Sequence, residues 1–414
     1  MTKTKRYENG LRLVVNTMES MMSVSAGILV GAGSRLETAE TNGISHFIEH
    51  VNFKGTETLS AFGLSDAFEG IGSQVNAFTS KEMTCYYVKS TVPALSRSFE
   101  LLSDLFLHSQ YPEEELKREK GVVTEEINMS ADTPEDVCLD RLSEVYFGKE
   151  GLGRTILGPQ ENVRSFTKKD ILSYLDRYYN ADNVVVSFAG NVTFEQAEEL
   201  TERYFVPFIR ENRTELPSFF QKENTGKVTR KNKDIEQLHI ALAFRGLPFG
   251  SPSQDALSLL NFVIGGGMSS RLFRKVREEL GLCYTVYSYP SCYRGVGSFA
   301  VYAGLNSESG EKAYAEILDV LADVKHGGIT AEEFERGKAQ ILSSFAFGEE
   351  STASQMMLYG KYLLFTDKLF DPAKKIADIE GLTRDDVNEC LSLLDFSAHS
   401  DSLFGRCAEE TRLE

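Results

Sequence analysis

The chain has 414 residues and carries 61 acidic against 44 Lys and Arg side chains, a formal net charge of −17. This acidic excess argues against nucleic acid as the main partner, because phosphate binding needs clustered cations. With 42% hydrophobic residues, 27 Phe and 17 Tyr, the composition is that of a globular protein rather than a disordered chain. The length exceeds what one hydrophobic core usually supports, which predicts at least two domains.

Two further features bear on location. No stretch approaches the roughly 18 apolar residues that a membrane helix requires, and residues 1–8 contain no apolar leader segment. The sequence therefore predicts no membrane partner and a cytoplasmic location. The six cysteines form no Cys-x-x-Cys pair and no framework spacing, which predicts reduced thiols; they are Cys85, Cys138, Cys283, Cys292, Cys390 and Cys407.

The first half of the chain alternates between strand and helix patterns. A hairpin is predicted around Asn9-Gly10, because this dipeptide favours a two-residue turn between strands. Strands are predicted at 23–30, 74–78, 84–89 and 183–189. Helices are predicted at 43–51, 94–107, 112–129, 134–147, 168–178 and 193–204.

The second half repeats this order. The polar, aperiodic stretch 207–234 is predicted to be a linker. It is followed by a strand at 239–244, helices at 254–264 and 270–279, strands at 283–289 and 297–303, and further helices. Residues 114–120 resemble 332–338 at an offset of 218, and 166–171 resemble 382–387 at an offset of 216. We therefore predict an α+β protein with two duplicated halves, 1–206 and 235–414, each a mainly antiparallel sheet covered by helices.

The sharpest chemical signal is His46-Phe47-Ile48-Glu49-His50. On a helix, His46 and His50 lie one turn apart on one face, so their imidazoles can converge on a metal ion. Glu49 lies close to that face and can reach an attacking water. This HxxEH pattern is the inverzincin motif, the reverse of HExxH. The alternative is two solvated histidines on an amphipathic helix.

A catalytic zinc site needs a third protein ligand. The remaining histidines are scattered along the chain, whereas the predicted helix 112–129 carries six glutamates: Glu113, Glu114, Glu115, Glu119, Glu125 and Glu126. Glu119 and Glu126 are seven residues apart and share a face, while Glu125 points elsewhere. Spacing alone does not choose the ligand, and Glu113–Glu115 are interpreted as a solvated face.

At this point the sequence resembles the M16 (pitrilysin-type) zinc metallopeptidases, and most closely the short M16B branch that includes mitochondrial processing peptidase. The family pattern has a glutamate ligand 76 residues after HxxEH and a second glutamate seven residues before it, which are Glu126 and Glu119 here. The resemblance implies that His46, His50 and Glu126 bind zinc. It also implies that Glu49 is the general base and that Glu119 supports the site.

The resemblance covers the whole chain and assigns residues in the second half as well. It implies that Arg277 and Tyr284, which match a family Arg and Tyr seven residues apart, reach the substrate as the two halves close around it. It further implies that the strand containing Val75, Asn76, Ala77 and Phe78 pairs with an extended peptide backbone. Without the resemblance, these positions would be a structural Arg and Tyr and an ordinary sheet edge.

The duplication also predicts how many metal sites the chain has. At the offset of 218, Glu119 corresponds to Gly337 and Glu126 to Ser344, and the helix predicted at 254–264 contains no histidine. The second half therefore lacks the ligands of the first, which predicts one zinc ion per chain.

The sequence thus predicts a zinc metalloendopeptidase, a processing-peptidase-like enzyme that cleaves peptides or unfolded polypeptides in a chamber between two homologous halves. The net charge favours basic peptides if part of it lines that chamber. Family members of this length commonly form dimers, so a homodimer is expected, and a heteromeric partner stays open. Two alternatives remain: a non-catalytic partner subunit of a heteromeric peptidase, and a metal-dependent hydrolase acting on another class of substrate.

Overall fold

The computed structural model describes residues 2–413, so Met1 and Glu414, the outermost residues of the two predicted halves, lie outside the described residues. Eleven strands are present in the described chain: β1 Thr2–Arg6, β2 Arg12–Thr17, β3 Ser23–Val30, β4 Gln74–Thr79, β5 Thr84–Thr91, β6 Val184–Gly190, β7 Val228–Asn232, β8 Gln237–Arg245, β9 Cys283–Tyr293, β10 Val296–Asn306 and β11 His399–Gly405.

The same residues form fourteen α-helices: α1 Ile44–Asn52, α2 Ala61–Gly70, α3 Leu95–Leu107, α4 Glu113–Ala131, α5 Pro134–Phe147, α6 Gln160–Ser165, α7 Lys168–Tyr178, α8 Phe194–Tyr204, α9 Gln254–Ile264, α10 Gly310–Gly327, α11 Ala331–Glu349, α12 Thr352–Thr366, α13 Pro372–Gly381 and α14 Arg384–Leu393. Residues Phe273–Glu279 form a π-helix. None of the described helices combines the length and apolar character needed to cross a membrane.

Two compact units make up the described chain. Unit 1 contains the residues up to Ile127 together with Thr155–Pro217 and Phe347–Phe370. Unit 2 contains Asn128–Arg154, Ser218–Ala346 and the residues from Asp371 onward.

Unit 1 is built on a six-stranded sheet in the order β1-β2-β6-β3-β5-β4. All neighbouring strands are antiparallel except β2 and β6. The predicted hairpin at Asn9-Gly10 is confirmed, with Gly10 at φ +93° in the turn between β1 and β2. Central strands carry fully buried side chains such as Val14, Ile28 and Val186, which form the core beneath the helices.

Unit 2 repeats this plan with one strand fewer. Its five-stranded sheet has the order β7-β11-β8-β10-β9, and the single parallel pair is β7 with β11. Strand for strand this matches β2-β6-β3-β5-β4 of unit 1, including the position of the parallel pair. The α+β fold with two duplicated, mainly antiparallel sheets is therefore confirmed. Strand β7 lies inside the stretch 207–234, where the sequence predicted no strand.

Each unit contains one helix from the opposite half of the chain. Helix α12, encoded in the second half, packs on β3 and β6 of unit 1, where the Ser187 hydroxyl donates to the Met356 carbonyl oxygen over 2.7 Å. Helix α5, encoded in the first half, packs on β8 and β11 of unit 2, where Cys138 Sγ lies 3.4 Å from the Ser402 carbonyl oxygen. The sequence offset of 218 relates Cys138 to Met356. Equivalent helices are thus exchanged, and the compact units differ from the contiguous halves 1–206 and 235–414.

Candidate metal centre

Helix α1 presents the HxxEH motif at the surface of the unit 1 core. Its apolar side chains Phe47, Ile48 and Val51 are fully buried, and the helix packs against β4 and β5. This packing fixes which face of α1 is left for the polar residues. His46 is buried, with 7% of its surface exposed, while Glu49 and His50 are half-buried.

The structure brings together His46, His50 and Glu126, the last from helix α4. The Nε2 atoms of the two histidines lie 3.2 Å apart. Glu126 Oε2 lies 3.3 Å from Nε2 of His50 and 3.6 Å from Nε2 of His46. Glu125, which precedes Glu126, is exposed and takes no part in this group. Among the described residues, these three side chains are the one group of His, Cys, Asp and Glu whose ligand atoms converge in this way.

Glu119 is not part of this group but contacts one of its members, His50. Its Oε1 lies 2.9 Å from Nδ1 of His50, and its Oε2 lies 2.8 Å from Nζ of Lys54. A carboxylate at Nδ1 favours the tautomer that leaves Nε2 unprotonated, which is what a metal-binding histidine needs. Glu119 is 4% exposed, so Lys54 also compensates a buried negative charge.

The two histidines differ in their electrostatic surroundings. Burial is the larger cause and repulsion from His50 the smaller one, and together they lower the pKa of His46 to about 3. The imidazole of His46 is therefore neutral. Burial also acts to lower the pKa of His50, but the hydrogen bond to Glu119 and the charge of Glu126 outweigh it, and the pKa is raised. A bound cation would reverse the advantage of a protonated His50, because it competes with the proton for Nε2.

Glu49 is held at the edge of this group. The hydroxyl of Thr79, the last residue of β4, donates a hydrogen bond of 2.6 Å to Glu49 Oε2. Burial raises the pKa of Glu49, and the hydrogen bond from Thr79 opposes that rise. A carboxylate in such a site is a stronger base than one in water.

The predicted substrate strand is an edge strand. Residues Val75, Asn76, Ala77 and Phe78 lie in β4, which pairs with β5 on one side and ends the sheet of unit 1 on the other. None of the four is fully buried. The free edge of β4 therefore offers main-chain hydrogen-bonding groups next to the group formed by His46, His50 and Glu126, because Thr79 at its end contacts Glu49.

Arg277 and Tyr284 both lie in unit 2: Arg277 is on the π-helix and Tyr284 is the second residue of β9. The Arg277 guanidinium carbon lies 4.6 Å from the ring centroid of Phe273 and 5.1 Å from that of Tyr284. The Tyr284 residue is 74% exposed. The sequence predicted an ordinary helix at 270–279, whereas Phe273–Glu279 is π-helical. The π-helix is rare overall, and where it occurs it is often found at functional sites.

The residues present fit a zinc ion. Two imidazole nitrogens and a carboxylate oxygen are zinc ligands, and tetrahedral bonds of about 2.0 to 2.2 Å place ligand atoms about 3.3 to 3.6 Å apart. The three separations found here, 3.2, 3.3 and 3.6 Å, lie in or next to that range. With these three residues as ligands, a zinc ion would keep a fourth position open, as in catalytic rather than structural zinc sites.

Comparison with known proteins points to one family of zinc proteases. A family profile described as "Insulinase (Peptidase family M16)" matches residues 12–160, and one described as "Peptidase M16 inactive domain" matches residues 165–341. A Bacillus subtilis (strain 168) protein named "Uncharacterized zinc protease YmxG" is 41% identical over 93% of this chain and 94% of its own length. A Rickettsia felis protein named "Uncharacterized zinc protease" is 32% identical over 97% of this chain and 96% of its own length.

Solved structures show the same fold. A protease from Helicobacter pylori superposes with a TM-score of 0.91 at 25% identity, covering 98% of this chain and 99% of its own. A Pseudomonas fluorescens protein described as a peptidase M16 inactive domain gives a TM-score of 0.92 at 19% identity over 98% of both chains.

The fold and the converging His, His and Glu side chains define a zinc-protease-like protein of two duplicated units. The chain belongs to peptidase family M16.

The resemblance stated from the sequence is thus confirmed at the level of the family, while the M16B branch and the similarity to mitochondrial processing peptidase stay predictions. Sequence reasoning missed Thr79 and Lys54, which hold Glu49 and Glu119. Lys54 follows His50 by four residues, so helical periodicity could have placed it near the motif. Nothing in the sequence around Thr79 marks it, because its contact with Glu49 depends on how β4 packs against α1.

Proposed function

We propose that this chain is a zinc-dependent endopeptidase that binds one zinc ion at His46, His50 and Glu126 and hydrolyses peptides or unfolded polypeptides. The observation that carries the proposal is the spacing of the three ligand atoms, which suits a tetrahedral ion. When bound, zinc supplies a Lewis acid that polarises the scissile carbonyl and lowers the pKa of water.

The chain's own residues supply the proton transfers. Glu49 accepts the proton of the attacking water and delivers it to the leaving nitrogen, which is the role of a general base that becomes a general acid. The hydrogen bond from Thr79 leaves the second carboxylate oxygen, Oε1, available for that proton. Glu119 holds the His50 ring in the tautomer that binds metal.

Substrate recognition is assigned to β4. An extended peptide pairs with the free edge along Val75–Phe78 by β-augmentation, so much of the recognition is independent of sequence. Folded proteins cannot offer such a strand and should resist cleavage. A preference for basic peptides, contributions from Arg277 and Tyr284, a cytoplasmic location and a homodimer or heteromeric partner stay predictions from the sequence.

The experiment that tests the proposal is cleavage of a quenched, extended basic peptide by the purified chain. Glu49→Gln is measured beside the wild type, together with a sample stripped by a chelator and then given zinc. We expect activity that is lost in both and returns with zinc in the stripped wild type. A zinc-loaded wild type that cleaves no extended peptide would contradict the proposal and favour the non-catalytic subunit instead.

A further inference from the structure

Helix α1 begins without a local cap. Its N-cap residue is Gly43, at φ +99°, which has no side chain to accept the free amide hydrogens of the first turn. A Cβ at this position would lie 2.5 Å from the carbonyl oxygen of Leu157, so the backbone there is packed too closely for a larger residue. The capping side chain must therefore come from elsewhere.

Glu37 supplies that cap from the preceding loop. Its Oε2 accepts hydrogen bonds from the Gly43 amide at 2.8 Å and from Nδ2 of Asn42 at 2.8 Å. Its Oε1 accepts from the Ser45 amide at 2.9 Å. The residue is 5% exposed, and a carboxylate at a helix N-terminus is stabilised by the helix dipole.

Glu37 is itself held in place. It follows the buried 3₁₀ turn Ser34–Leu36, which is fixed by a 2.8 Å bond from the Arg35 amide to the Lys81 carbonyl oxygen. On the other side of the cap, the Ser45 hydroxyl lies 2.7 Å from the hydroxyl of Tyr174. The first turn of α1 is thus clamped between a buried loop and helix α7.

The first metal-binding residue, His46, follows directly after Ser45 in this clamped turn. Glu119 orients the ring of His50, but the buried Nδ1 of His46 has no hydrogen-bond partner among the described residues. The position of His46 is therefore set by the backbone of the first turn rather than by a second side chain. Whatever fixes that turn fixes the distance between His46 and the other two ligands.

We propose that Glu37 is a positioning residue for His46: by capping α1 it holds the first turn in the conformation that places Nε2 beside His50 and Glu126. The proposal rests on the proposed zinc site. Removing the cap leaves the ligands in the chain but frees the turn, so zinc affinity falls.

The test compares Glu37→Gln with Glu40→Gln, which makes the same substitution at an exposed position in the same loop. Zinc affinity is measured by competition with a chromophoric chelator, and backbone hydrogen exchange over residues 43–47 is measured in the metal-free proteins. We expect Glu37→Gln to bind zinc at least about tenfold more weakly, the low end of the losses that follow when a residue holding a metal ligand in place is replaced. Its first turn should also exchange faster, while Glu40→Gln matches the wild type.

Zinc affinity in folded Glu37→Gln within twofold of the wild type would overturn the proposal. If Glu37→Gln does not fold, Glu37→Asp replaces it, since it keeps the charge at a shorter reach; affinity weakened at least threefold supports the proposal and unchanged affinity overturns it. A wild type that binds zinc but cleaves no peptide would contradict the proposed function alone and leave the affinity comparison intact.

Discussion

The hydroxyl of Thr79 donates a hydrogen bond to Oε2 of Glu49, with 2.6 Å between the two oxygens. Thr79 is the last residue of β4, so this bond joins the edge strand that we assign to the substrate to the side chain that we assign as general base. A peptide that pairs with β4 as we propose would therefore be aligned with Glu49 through the β4 backbone and this one hydrogen bond.

Replacing Thr79 with Val removes this hydrogen bond with little change in volume. Hydrogen bonds to charged groups contribute about 1.5 to 3 kcal/mol, so we expect kcat to fall roughly tenfold to a hundredfold with zinc content unchanged. Thr79→Ser, which keeps the hydroxyl, should restore most of the activity. Thr91→Val, at the exposed end of β5, is the matched control. Wild-type kcat in Thr79→Val would remove Thr79 from the mechanism.

Two adjacent glutamates on α4 allow the loss of a metal ligand to be distinguished from the mere loss of a negative charge. Glu126 contacts both histidines, whereas Glu125 is exposed. We expect Glu126→Gln to lose most of its zinc, because it removes one of three protein ligands, and Glu125→Gln to retain it. The measurement is the zinc content of the two variants after dialysis, by inductively coupled plasma mass spectrometry. Equal zinc in the two variants would exclude Glu126 as a ligand.

An ion pair in unit 2 gives a pH dependence of stability. Arg271 binds both carboxylate oxygens of Glu333, at 2.8 and 2.7 Å, and these hydrogen bonds lower the pKa of Glu333 to about 2. Because the folded-state pKa lies below the unfolded value of about 4.3, the stabilisation is present above that value and is lost as the pH falls toward 2.

The measurement is thermal unfolding of the wild type and Glu333→Gln between pH 7 and pH 2. We expect a stability difference of about 2 kcal/mol at neutral pH that narrows steadily below about pH 4.5. Glu332→Gln is the control, since its side chain is 86% exposed. A difference that stays constant down to pH 2 would show that the pair does not titrate as described.

Close packing of α12 on the sheet of unit 1 depends on Gly360. A Cβ at this position would lie 2.7 Å from a Leu29 methyl carbon and 3.0 Å from the Ser187 Cβ. We expect Gly360→Val to destabilise the protein by about 1 to 3 kcal/mol through overpacking. Gly348→Val, where a Cβ meets nothing within 4 Å, controls for helix propensity. Equal melting temperatures for the two variants would contradict this packing.

Strong periodic patterns predicted their elements well. The ranges predicted for α7 and α9 match the structure, because buried residues recur at helical spacing in both. Helix α2 was missed because it buries only Leu64 and Phe68. Strand β7 was missed because four of its five residues are polar and none of the five is buried. Periodicity likewise cannot separate the π-helix Phe273–Glu279 from an α-helix.

The candidate site was predictable only where its residues share one helix or match a family spacing. His46, Glu49 and His50 share α1, but spacing left Glu119, Glu125 and Glu126 undecided until the resemblance was used. Glu37 and Thr79 reach α1 through tertiary packing, and no local pattern marks them. The exchange of α5 and α12 was equally hidden, because equivalent helices carry equivalent patterns whichever sheet they cover.

That exchange sets the order in which the protein can be completed during synthesis. The last strand of the unit 1 sheet ends at Gly190, but the helix that covers β3 and β6 begins only at Thr352. At synthesis rates of about 5 to 20 residues per second, the nascent sheet waits roughly 8 to 32 seconds for its covering helix. Unit 1, which carries the candidate metal site, is the first to begin on the ribosome. It becomes a finished folding unit only when most of the second half has been made.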